Sequence, residues 1–162
     1  MKGVLILDIN NLTQTLIDNR LLRNEEEISA FEQAISSVLD LKDLNHLRNL
    51  CLGFHDATEN DEVMFGLIHA IESYDNIFGS EQSLIELAES LPYMLPHAKE
   101  WAKTLHKRIL NHESSCKIYS KVISTADVNI KKIVLQLVKE IKERNPKRFE
   151  ASVDEFVLFV SK

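Results

Sequence analysis

Apolar residues in this chain recur three and four positions apart from Asn24 almost to the C-terminus, and residues that interrupt such a rhythm are scarce. Four Gly and three Pro in 162 residues leave few places for sharp turns. That scarcity disfavours turn-rich β architectures and favours helices with short connections. Asn24, with Glu27 three residues on, is a good N-cap, and Ile28, Phe31, Ile35 and Val38 follow at helical spacing. A helix is expected over 41–52, closed by Gly53, and another from Thr58 or Asn60 to Asp75. Ser80 is read as the cap of the next, which ends near Leu91 at Pro92. Leu95, Ala98, Ala102, Leu105 and Ile109 form a narrow stripe. Further helices are expected over 113–124 and after Asp127, where Ile130, Val134, Leu137 and Ile141 repeat until Pro146. Phe149, Val153, Phe156, Val157 and Val160 fit a last helix, although 156–160 alone also suits a strand. At the N-terminus Leu5, Ile9, Leu12 and Leu16 suit a helix, while Val4 to Leu7 suit a short strand. The expectation is an all-α protein of about eight helices, an antiparallel bundle or a short, α-solenoid-like stack of helix pairs, forming one domain over 1–162.

A hydrophobic content of 44% supplies a core for such a domain. Cys51 and Cys116 stand far apart with no CxxC pair, so neither a disulfide framework nor a zinc site is expected. The apolar run Val4 to Leu7 stops at Asp8, too short for a secretory signal, and no stretch reaches the length of a membrane span. A cytoplasmic protein is expected.

Charge is partitioned along the chain. Residues 49–98 hold nine carboxylates and neither Lys nor Arg, whereas 99–162 hold fourteen basic and eight acidic side chains, within a net charge of −6. The acidic block projects a field that repels nucleic acid and attracts a basic partner, though a merely solvated face would carry the same pattern. In the basic third, Lys99, Lys103 and Lys107 step by four along one flank, and interspersed Glu140 and Glu143 offer partners that favour a solvated, self-paired face. Trp101, beside the Leu105 stripe, reads as core.

The segment 53–75 is the most distinctive. On a wheel of about 100° per residue, Val63, Met64, Leu67, Ile68, Ala70, Ile71 and Tyr74 fall within about 160°, a core face. Opposite lie Asp61, Glu62, His69, Glu72 and Asp75, with Phe65 among them and Asp56 and Glu59 just upstream. Gly66 in a helix interior costs about 1 kcal/mol against Ala, a cost tolerated where another backbone or a partner approaches closely. An aromatic ring rimmed by carboxylates has the form of a recognition patch. The alternative is that Phe65 packs beneath a neighbouring helix and the acids are simply solvated. The expected partner-binding residues are Asp56, Glu59, Asp61, Glu62, Phe65, His69, Glu72 and Asp75.

Enzymatic patterns are sparse. Arg48-Asn49 followed by His55 resembles the element of the all-α HEPN ribonucleases, in which Arg48 would bind phosphate and His55 act as acid or base. The bland reading has Arg48 solvating a helix end and His55 ordering a loop. His55-Asp56 resembles the dyad of HD-type metal phosphohydrolases, for which His46 and Asp75 are the available complements. His69 with Glu72 is one metal-binding pair, short of a ligand set. No cofactor, metal or catalytic residue is expected, and a non-enzymatic scaffold is the remaining alternative.

His55-Asp56-Ala57-Thr58, Asp61-Glu62-Val63-Met64-Phe65 and Leu67-Ile68-His69-Ala70-Ile71-Glu72, with Glu100-Trp101-Ala102 and Arg108-Ile109-Leu110-Asn111 downstream, resemble the Immunity protein 30 family of bacterial polymorphic toxin systems. The resemblance spans 25–145, with Phe65 where the family has a tryptophan. It implies an all-α protein, encoded beside a toxin, that binds and neutralises it. The acidic patch suits a toxin with a cationic active site, such as a nuclease, and neither nucleic acid nor membrane is an expected partner.

Overall fold

Most helices begin where a side chain satisfies their free N–H groups. The computed structural model describes residues 8–162. Asp8 accepts from the Asn10 N–H and opens α1 (Ile9–Asn19), and Asn24 accepts from the Glu27 N–H and opens α2 (Glu25–Asp40). A 3₁₀ turn (Leu44–His46) leads into the short α3 (Leu47–Cys51). Asn60 accepts from the Val63 N–H and opens α4 (Asp61–Phe78). Then come α5 (Ser80–Ser90), a 3₁₀ turn (Leu91–Met94) and α6 (Lys99–Leu110). His112 caps α7 (Glu113–Ser124), Asp127 caps α8 (Val128–Arg144), and Asn145 caps α9 (Pro146–Val160). Pro146 thus starts a helix as well as ending one, since its missing N–H belongs to a first turn.

The structure is all-α, with nine α-helices and no strand among the described residues. The segment 156–160 is helical, and the open alternatives over 4–7 lie outside the described residues. Three boundaries differ from the expectation. The helix expected over 41–52 is broken, because α2 runs on to Asp40 and Lys42 takes a left-handed φ of 50° before the 3₁₀ turn. Ser80 is the first residue of α5; the reversal before it is made by Gly79 alone, at φ 87° and ψ 152°, a conformation that excludes a side chain at little less than steric cost. The stripe expected from Leu95 becomes helix only at Lys99, because Pro92 draws 91–94 into a 3₁₀ turn first.

Single-residue and few-residue connections make successive helices antiparallel. Most helices pack on a neighbour in sequence, on the next but one, or on both: α4 on α5, α5 on α7, α6 on α7 and α8, α9 on α7 and α8. That order is a short stack of helix pairs around one continuous apolar cluster running from Leu16 to Val160. Gly53 permits the close seating of α3 on α4, because a Cβ there would lie 3.1 Å from both the Leu50 carbonyl and the Leu67 side chain. The inward face of α4 is the one the wheel separates: Met64, Leu67, Ile68, Ala70, Ile71 and Tyr74 are buried, and Val63 is half-buried. Each such large side chain contributes roughly 2 kcal/mol of burial.

Several polar groups inside the stack are paired, while the buried Tyr74 and Ser83 hydroxyls have no hydrogen-bond partner among the described residues. His106 contacts the Ala102 carbonyl at 2.7 Å and the Tyr119 hydroxyl at 2.8 Å, and burial pulls its pKa down to about 4. Lys103, expected on a solvated flank, is 4% exposed and bonded to Glu140 at 2.8 Å and Glu100 at 3.3 Å. Its hydrogen bond, with those of Gln136 and Lys99, holds the Glu140 carboxyl down to about 2. Among the described residues no helix is long and apolar enough to cross a membrane.

Candidate functional site

The polar side of α4 divides at its middle. Toward its start, Asp61, Glu62, Phe65, Gly66 and His69 are exposed, and Glu59 is exposed just before the helix. Asp61 and Glu62 lie in the first turn, where carboxylates complement the helix dipole. Neither forms an ion pair among the described residues. Glu59 lies near Arg23, whose guanidinium is held above its ordinary pKa chiefly by Glu27 and lastly by Glu59.

Phe65 answers both readings of the sequence. It remains 37% exposed, yet its ring meets Trp101 edge-on, with centroids 5.3 Å apart and planes at 79°. Trp101 is buried and stacks in turn on Phe54 at 6.1 Å. The exposed ring is therefore braced from behind, and an anchor held in one rotamer loses less entropy when it is covered. Beside it, a Cβ at Gly66 would meet nothing within 4 Å. No packing among the described residues accounts for glycine at that position.

Three of the eight expected contact residues are engaged within the chain. The Asp56 carboxylate accepts from the Glu100 N–H at 3.1 and 3.2 Å and from the Trp101 N–H at 3.3 Å, capping the first turn of α6. Glu72 takes a two-pronged ion pair from Arg108, at 2.7 Å from Nε and 2.9 Å from Nη2. Asp75 is half-buried, and burial raises its carboxyl pKa above the ordinary range. With Phe65 on Trp101, these contacts tie α4 and its approach to α6 through side chains.

The residues of the enzymatic patterns have separate partners. Arg48 is paired with Glu86 at 2.9 Å, and Asn49 donates to the Thr13 hydroxyl at 3.0 Å. His55 accepts from the Ala57 N–H at 2.9 Å and lies against His97, with ring centroids 5.7 Å apart. His46 faces Asp43 at 3.8 Å, away from the capping Asp56 in its partners. Among the described residues no three His, Cys, Asp or Glu side chains are grouped to hold one metal ion. Burial pushes the Cys51 thiol up to about 12, which leaves it an inert core residue.

The family model for Immunity protein 30 matches residues 18–119. The chain belongs to this family. No curated protein and no solved structure matches it. The immunity-family region begins earlier than the resemblance in sequence and ends sooner, at Tyr119 in the middle of α7 rather than near 145. It contains the whole open face of α4, the Trp101 brace and the Glu72–Arg108 pair. The rest of α7, with α8 and α9, lies beyond it and continues the same apolar core. Sequence reasoning about this immunity-family chain missed Arg108 as the partner of Glu72, because the two stand 36 positions apart and nothing local joins them.

Proposed function

We propose that this chain is the immunity protein of a bacterial toxin, a non-enzymatic module of one domain that binds its cognate toxin in the cytoplasm and blocks it. Membership of the Immunity protein 30 family supports the general role. The contact face we assign is the open half of α4: Glu59, Asp61, Glu62, Phe65 and His69, with Gly66 between them. The observation that carries this assignment is an exposed aromatic ring, braced by Trp101, within a rim of carboxylates that form no ion pair among the described residues. A central apolar anchor supplies binding energy and the charged rim steers encounter with a cationic surface. A nuclease toxin, whose active site must attract phosphate, offers such a surface.

The test is capture of the toxin encoded beside this gene, followed by kinetics of the purified pair. Replacing Glu59 and Glu62 by Lys is expected to slow association roughly tenfold or more at low salt and to flatten its salt dependence. Phe65→Ala is expected to act on dissociation instead, by about 2 kcal/mol. Association and dissociation rates that stay at wild-type values in both variants would remove this face from the interface.

A further inference from the structure

Beyond the α4 face, α4 to α7 enclose a cleft of about 650 Å³. Its floor is apolar, from Leu47, Ile71, Leu84 and Leu105, and its rim carries Glu72, Asp75, Asn76, Ser83, Arg108 and His112. Two helices end there and two begin: Asp75 and Asn76 lie in the last turn of α4 and Arg108 in that of α6, while Ser80 and Ser114 open α5 and α7. The opposed helix-dipole ends cancel, so side-chain charge decides what the cleft attracts. Arg108 is spent on Glu72 through both prongs of its guanidinium. Asp75 forms no ion pair among the described residues; the Ser80 hydroxyl lies 3.5 Å away. Ser83 and His112 are close enough to favour its charged form, against the burial that disfavours it. A second acceptor waits beside it: Ser83 is only 3% exposed, lines the cleft next to the Asp75 carboxylate, and among the described residues its Oγ has no partner in hydrogen-bonding geometry. A buried hydroxyl left unpaired costs free energy, which a ligand donating to it would recover.

We propose that this cleft is the socket for one arginine side chain of the toxin. The guanidinium would donate to the Asp75 carboxylate and the Ser83 hydroxyl while its methylene stem lies on the Leu84 and Ile71 floor. The inference rests on the immunity reading, to which it adds a second contact point on the far half of α4. Burial of Asp75, which already holds its carboxyl above the ordinary range, makes an incoming cation more valuable there than at the open rim.

The test needs no toxin at first. The free protein is titrated with N-acetyl-arginine N-methylamide and followed by amide chemical shifts. Saturable shifts at Asp75, Ser83 and His112 in the millimolar range, as befits a side chain cut from a larger interface, are expected. Asp75→Asn, almost isosteric, is expected to weaken them about tenfold, and Ser83→Ala, which removes only a hydroxyl, less so. The norleucine analogue should leave these amides unmoved. No saturable shift, equal binding by Asp75→Asn, or equal binding of the lysine analogue would overturn the socket. Micromolar binding of the free arginine derivative would overturn it too, by assigning the cleft to a small molecule. Toxin capture then separates the two readings. A toxin held as tightly by Asp75→Asn as by the wild type sinks the socket alone, whereas a toxin not held by the wild type sinks the immunity reading.

Discussion

The acidic block of residues 49–98 and the basic third beyond it carry opposite charge in the sequence, but they differ more in how that charge is spent. The basic third spends part of its charge within itself. Lys99 and Lys103 converge on Glu140, Arg144 reaches Glu100, Lys142 reaches Asp154, and Lys117 reaches Glu113. The acidic block has no cations of its own, and the stack supplies few: Arg108 for Glu72, Arg48 for Glu86, and the start of α6 for Asp56. What remains open is the first half of α4, together with Glu81 and Glu89 on α5, and only on α4 does an exposed aromatic ring stand among the carboxylates. A charged face therefore identifies a docking surface only after its internal pairings are subtracted.

The comparison breaks first at Glu140. Glu140→Gln strands the buried Lys103 with one weaker carboxylate partner, and a loss of about 3 kcal/mol in urea unfolding at pH 7 is expected. The Glu140 carboxyl is depressed from 4.5 to about 2 in the folded protein, so its stabilisation is complete above pH 4.5 and lost as pH falls toward 2. The gap between wild type and variant should close over that window. A gap independent of pH would mean that packing, not the ion pair, holds the basic third together.

Gly66→Ala comes next. With no atom in the way of a Cβ, the free protein should gain about 1 kcal/mol from helix propensity, read as a higher melting temperature. The same variant should weaken toxin binding if a partner seats closely on that spot. Stabilisation without any loss of binding would free this part of α4 from the interface. Glu72→Ala removes an ion pair whose two members are both partly exposed, and a loss of about 0.5–1 kcal/mol is expected. Smallest is Glu62→Lys, whose effect on unfolding should stay within about 0.5 kcal/mol, since Glu62 is exposed and forms no ion pair among the described residues. A cost matching that of Glu72→Ala would erase the distinction between the two halves of α4.

Much of this architecture is legible without coordinates. Asn24, Asn60 and Asp127 cap the helices they were expected to cap, and the buried arc of α4 is the one its periodicity marks. These signals are local, because a helix is defined by groups within four residues of one another. The boundaries that moved, at Lys42, Gly79 and 95–98, lie where turn geometry competes with an apolar rhythm that continues through it. Of the proposed contact face, the sequence made legible which residues point outward but not which of them stay open. Glu59, Asp61, Glu62, Phe65 and His69 are exposed, but a wheel cannot say which outward positions another helix will reach.

By itself, the order of residues determined that this chain forms helices, where most of them start, which side of α4 is apolar, and that its middle third carries uncompensated acid. Tertiary structure alone decided that Asp56 caps α6, that Glu72 belongs to Arg108, that Trp101 braces Phe65, and that Ser83 and Asp75 share a cleft. The physical reason is range. Caps and periodicity act through the neighbouring turn, whereas a charge is spent only when packing brings a partner from dozens of residues away within hydrogen-bond distance.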